Sequence, residues 1–161
     1  MNKVSASKVQ GILGKVKSKA EKLPLRIVIY GREGVGKTSF PAHMKNPLYL
    51  ISRGETGLQT LVSHKQLGET DYLPPIEKWE DFISTLNELN AVEHEYKTLV
   101  LDCLNGFEKL LTEFTIRAHY DGDLNKFLHY HKGYATAASI WAEVTVLLDR
   151  LRVNKKMTIV C

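Results

Sequence analysis

The stretch GREGVGKTSF, Gly31 to Phe40, holds glycines at 31, 34 and 36, followed by Lys37, Thr38 and Ser39. The spacing fits G-x-x-x-x-G-K-[ST], in which each residue type serves a polyphosphate. Gly31 permits a sharp turn, and Gly34 and Gly36 permit backbone conformations that a side chain would block. Successive N–H groups from about Gly34 to Thr38 then converge on one concavity that surrounds a phosphate. A helix opening there aims the positive end of its dipole at the same point. Lys37 is spaced to reach the β- and γ-phosphates, and the Thr38 hydroxyl to ligate Mg²⁺. The nucleotide-binding set is therefore Gly31, Arg32, Glu33, Gly34, Val35, Gly36, Lys37, Thr38 and Ser39.

A Mg²⁺ ion held by Thr38 needs an acid at the end of another buried strand, and YKTLVLDCL supplies Asp102. It would hold the ion, through water. An aspartate there also suits the cap of a following helix; beside a phosphate loop the metal role is preferred. Many ATPases place a water-activating glutamate directly after this aspartate, but here that position is Cys103. The remaining candidate base is Glu55 in LYLISRGETGL, just past another apolar run. In a parallel sheet the strand C-termini share one edge, so Glu55 would face the γ-phosphate and orient the attacking water. A glutamate near a helix N-terminus is also mildly stabilising without any catalysis. Spacing alone does not choose between the two. Asp102 is followed by CLN rather than by a glycine at the third position, and NKKM (154–157) lacks the acid of a guanine-reading motif and precedes its strand, so the sequence argues against guanine specificity.

These residues need elements to carry them. LRIVIY (25–30) is a short β-branched run ending at a glycine and reads as a strand buried on both faces. PLYLIS (47–52), KTLVLD (97–102) and MTIVC (157–161) read as further strands, with a short edge piece at DYL (71–73) cut off by Pro74-Pro75. Helical stripes run through Trp79, Phe82, Ile83, Leu86 and Leu89, through Leu104, Phe107, Leu110, Leu111 and Phe114, and through Ile140, Val144, Leu147, Leu148 and Leu151. Pro41 falls in the second turn of the helix after the loop and predicts a short or kinked helix ending near Met44. HYDGDLNKFLHYHKGY (119–134) has no period and reads as a long loop. Strands alternating with such helices give an α/β fold with a parallel sheet.

The 161 residues fit one domain of ordinary soluble composition, 43% hydrophobic and 25% charged. No apolar run reaches the ~20 residues that span a bilayer, and the basic N-terminus has no continuous apolar core of a secretory signal. Cys103 and Cys161 make neither a metal spacing nor a disulfide framework, so a reducing cytoplasm is expected, with Cys103 a buried small hydrophobe. Residues 1–26 carry seven cations against one acid, Glu21, in a chain of net charge +4. Such a run is either a solvated arm or a contact for nucleic acid or a neighbouring subunit. His119, His129 and His131 read as surface residues. Tyr120, Tyr130 and Tyr134, interleaved with Lys126 and Lys132, either anchor their loop or stack on single strands, and the anchor is preferred.

Through RIVIYGREGVGKTSF, NPLYLISRGETGL and YKTLVLDCLNGFEKL, residues 24–161 resemble the RecA-like branch of P-loop ATPases, and more closely the phage-type nucleotide-binding proteins related to RecA recombinase. The resemblance implies a P-loop NTPase fold, ATP with Mg²⁺, and support of phage-type DNA recombination or replication in the host cytoplasm. It puts Glu55 in the place of the family's catalytic glutamate and Asp102 in that of its metal-binding aspartate. The helix KGYATAASIWAEVTVLLDRL then leads into the central sensor strand, MTIVC. It further implies single-stranded DNA as a partner and homo-oligomers with nucleotide between subunits. Residues 1–23 form a basic arm outside this core. Ser52 stands where the family often carries an acid, and the chain stops at Cys161, before the polar sensor residue and further strands, so a truncated core is expected. Two alternatives stay open: a nucleotide-gated assembly module with negligible turnover, and a small-molecule or nucleotide kinase.

Overall fold

The computed structural model describes residues 15–16, 18–19, 21–64 and 70–161. Five strands, β1 (Arg26–Ile27), β2 (Pro47–Ile51), β3 (Asp71–Tyr72), β4 (Thr98–Asp102) and β5 (Thr158–Val160), form one sheet in the order β1-β5-β4-β2-β3. Every pairing is parallel, with Ile51 opposite Asp102 and Val100 opposite Val160. This is an α/β structure consistent with a P-loop NTPase fold. All strand C-termini lie on one edge, which is where ligands bind in such sheets.

Helices α3 (Trp79–Ala91), α4 (Leu104–His119) and α6 (Lys132–Asn154) cover one face. Their predicted stripes bury Phe82, Leu86, Phe107, Leu110, Val144 and Leu151 against Leu48, Leu50, Leu99, Leu101 and Ile159. Phe82 stacks on Phe107 with ring centroids 4.4 Å apart. Each such fully buried side chain contributes about 1.5–3 kcal/mol. The other face carries a smaller cluster, Tyr49, Ile51, Leu58 and Val100, under α1 (Ser39–Ala42) and α2 (Gly57–Ser63). That thinner face bears the site.

Four expectations change or sharpen. The run 25–30 is not buried on both faces. β1 is an edge strand, and Leu25, Val28 and Tyr30 are 63%, 74% and 99% exposed. Its pairing to β5 still runs on, through Ile159 N–H to Leu25 O and Ile29 N–H to Cys161 O. The expected loop 119–134 is instead helical for most of its length: α5 (Leu124–Leu128), a 3₁₀ turn (His129–His131) and the first turn of α6. Asp123 caps α5 by accepting from Asn125 N and Lys126 N, and buried Phe127 packs edge-on against Tyr120 and Tyr134. A helix this short cannot display a period. Helix α2, anticipated only as a helix start near Glu55, runs from Gly57 to Ser63. The helix after the loop is as short as Pro41 requires, with turn bonds His43 N–H to Phe40 O and Met44 N–H to Pro41 O carrying it to Met44.

Candidate functional site

The loop leaves β1 at the C-terminal edge. Gly34 and Gly36 have φ of +81° and +91°, and a Cβ added to either would meet nothing within 4 Å. Glycine is therefore required there by backbone conformation and not by crowding. Arg32, Glu33, Gly34 and Val35 are exposed, while Gly31, Gly36, Lys37, Thr38 and Ser39 are half-buried. Lys37 folds back over the loop, its Nζ donating to Gly31 O at 2.9 Å and Arg32 O at 2.7 Å. A protonated amine satisfied only by carbonyls is poised to exchange them for an anion.

Asp102 ends β4 beside Thr38, whose hydroxyl is near enough to hold the carboxylate's pKa down. Its peptide bond to Cys103 is cis. Asp102 is 9% exposed, and its Oδ2 has no hydrogen-bond partner. Burial raises its pKa above 3.8, the Thr38 hydrogen bond opposes this, Glu55 adds repulsion and Lys37 lowers it. Those four groups thus share one electrostatic environment. Glu55 reaches it from the loop after β2. Its Oε1 accepts from Thr56 N and Gly57 N at 3.1 and 3.0 Å, closing the start of α2. A Cβ on Gly57 would stand 3.1 Å from Glu55 Oε1 and 3.3 Å from Thr38 Oγ1, so the missing side chain keeps the space between them open.

The donors fit a small hard cation. Mg²⁺ takes oxygen ligands, usually one or two carboxylates, a hydroxyl and the substrate's phosphates. Asp102 offers an orphaned buried oxygen, Thr38 a hydroxyl, and Gly57 the room. Lys37, Thr38, Glu55 and Asp102 therefore come together as their types require.

Sequence reasoning missed several neighbours. Tyr49, in the middle of β2, donates its phenol to Thr38 O at 2.6 Å. Ser52 Oγ is buried without a partner, and a Cβ on Gly106 would lie 1.8 Å from it, so α4 seats on β2 only because 106 is glycine. Arg53 bridges to Glu113 of α4 at 2.7 Å, beside the Arg117–Glu80 pair. Only the packing of loops and helices on the sheet brings these together. Cys103 is half-buried at the site and not an apolar filler. Burial raises its thiol pKa, the Gly106 amide lowers it, and hydrogen bonding to Glu55 raises it again. Tyr120, bonded to Thr136, and Tyr134 anchor α5, whereas Tyr130 is 80% exposed. His119, His129 and His131 are exposed. Of the basic N-terminal arm, residues 1–14, 17 and 20 lie outside the described residues. Among the described residues no helix is long and apolar enough to cross a membrane.

A family model described as an AAA domain matches residues 23–161. The chain is 31% identical over 130 residues to the SPbeta prophage-derived uncharacterized protein YorG of Bacillus subtilis (strain 168), an alignment covering 76% of this chain and 36% of that protein. The chain thus spans about a third of the length of that relative, at 36%. No solved structure gives a significant match.

Proposed function

The chain belongs to the AAA domain family, and on that premise we propose that it binds ATP with Mg²⁺ and hydrolyses it. The observation that carries the proposal is convergence at one sheet edge. The glycine loop stands open, Thr38 lies beside Asp102, and Glu55 and Thr38 flank the vacant side-chain space of Gly57. The loop amides and Lys37 hold the phosphates, Lys37 leaving Gly31 O and Arg32 O to do so. Thr38 and Asp102 hold Mg²⁺, which when bound neutralises charge building on the phosphates. Glu55 orients water with the carboxylate oxygen that does not cap α2.

Within this reading the role is RecA-like support of phage-type DNA recombination or replication. The position of β5 between β1 and β4 agrees with a central sensor strand, and the prophage origin of the relative agrees with the phage setting. Single-stranded DNA and a second copy of the chain are the partners that role calls for. One observation favours a second reading, a nucleotide-gated module with negligible turnover: Glu55 Oε1 is already engaged by two backbone amides.

The test combines binding of a fluorescent ATP analogue with phosphate release. Lys37→Ala is expected to abolish binding or turnover with the fold intact. Glu55→Gln is expected to keep binding and lose about 10²–10⁴-fold in turnover. Equal affinity and turnover in Lys37→Ala overturns the site. Wild-type binding with no phosphate release selects the gated module.

A further inference from the structure

The structure assigns Tyr49 a part in this site: we infer that it is the positioning residue that fixes Thr38, and with it the Mg²⁺-facing hydroxyl, against β2. The inference rests on the reading of Thr38 as a metal ligand. It starts from a weakness in α1. The helix has only four residues, and Pro41 lacks the N–H that would bond the carbonyl of Lys37, so helical bonding holds the end of the loop poorly. Phe40 N–H to Gly36 O, at 2.9 Å, is one bond that remains.

Tyr49 supplies another from outside the helix. Its ring is fully buried among Ile51, Leu58 and Val100, and its hydroxyl reaches Thr38 O at 2.6 Å. A buried phenol costs free energy unless it finds an acceptor, so ring packing and hydrogen bond fix each other. Burial and the nearby Asp102 both push the phenol pKa well above its ordinary value, which keeps it a donor. Thr38 is then held by its carbonyl from β2, with its hydroxyl beside Asp102 on β4. The two strands are themselves locked, since Ile51 pairs with Asp102 and Ser52 N–H donates to Asp102 O at 3.1 Å. Three residues past Ser52 on the same chain stands Glu55. One hydroxyl therefore ties Thr38 to the strand that delivers the base, as sheet pairing ties Asp102 to it.

The test is Tyr49→Phe, which keeps the ring and removes the donor. Affinity for a fluorescent ATP analogue is measured in EDTA and across a Mg²⁺ titration. Affinity in EDTA is expected to stay within about twofold of wild type, while the Mg²⁺ midpoint for tighter binding rises about fivefold to tenfold, the worth of one hydrogen bond. Val100→Ala, which thins the same cluster and leaves the hydroxyl, is expected to lower the melting temperature without moving that midpoint. An unshifted midpoint in Tyr49→Phe, or an equal shift in Val100→Ala, overturns the inference alone. A wild type whose nucleotide binding ignores Mg²⁺ overturns the metal reading and this inference with it.

Discussion

At Asp102 the needs of function and of folding oppose one another. In the proposed role its orphaned buried oxygen would receive a cation, and without one it is a poorly solvated charge. The raised pKa measures that tension. Burial is its largest cause, with Glu55 adding to it against the Thr38 hydrogen bond and Lys37. A group whose pKa is raised on folding binds its proton more tightly in the native state. Its contribution to stability is thus fully present below the ordinary value of 3.8 and is lost as pH rises through the raised value. Asp102→Asn, permanently neutral, should therefore melt higher than wild type in metal-free buffer near neutral pH. That advantage should shrink as pH falls towards the ordinary carboxylate range, and Mg²⁺ should no longer tighten nucleotide binding. Thermal unfolding across pH checks this; a variant less stable than wild type at every pH would show that Asp102 is held as a structural anion.

At the scale of elements, α5 owes its existence to one cap. Asp123 accepts from Asn125 N at 2.8 Å and Lys126 N at 3.2 Å, and the five-residue helix it starts delivers Phe127 onto Gly133 of α6, where a Cβ would lie 2.2 Å from the ring. Asp123→Ala should cost about 0.5–2 kcal/mol in urea unfolding and speed hydrogen exchange at the two freed amides, with nucleotide binding unchanged. Unaltered exchange would move the anchor to Phe127 alone. That segment also shows where sequence reading stops. Long stripes such as Trp79 to Leu89 and apolar runs such as KTLVLD announce their elements because burial repeats along them. Five residues repeat nothing. The run 25–30 was apolar enough for a central strand, but composition does not say whether a second neighbour exists, and among the described residues β1 has only β5. In the site, Lys37, Thr38 and Asp102 were readable because chemistry fixes their types. Tyr49, Gly57 and the Ser52–Gly106 contact were not, since each acquires meaning only when loops and helices pack on the sheet.

At the scale of the whole molecule, the root of the basic run and the glycine loop lie at opposite ends of β1. The basic run precedes β1, so it leaves from the N-terminal edge of a parallel sheet whose C-terminal edge holds the loop. A strand rises ~3.3 Å per residue, so the six residues 25–30 separate the two by roughly 20 Å. Contacts at the root agree: Glu21 pairs with Lys156 at 2.9 Å, just ahead of β5, Arg26 pairs with Asp149 at 3.4 Å, and Arg152 donates to Pro24 O. Exposed pairs of this kind are worth about 0–1 kcal/mol each, so removing the run should leave the core folded. If the arm neutralises phosphates of single-stranded DNA, log affinity should fall with log salt by about 0.7 per phosphate contacted. Deleting residues 2–22 should then flatten the slope by several units while ATP binding holds, because β1, which leads into the loop, begins only at Arg26. Fluorescence anisotropy of labelled single strands, read across salt with and without nucleotide, makes the comparison. Equal slopes for the full and shortened chains would leave the six deleted lysines as a solvated arm and pass any DNA contact to the core, where exposed Tyr130 beside Lys132 is the place to look.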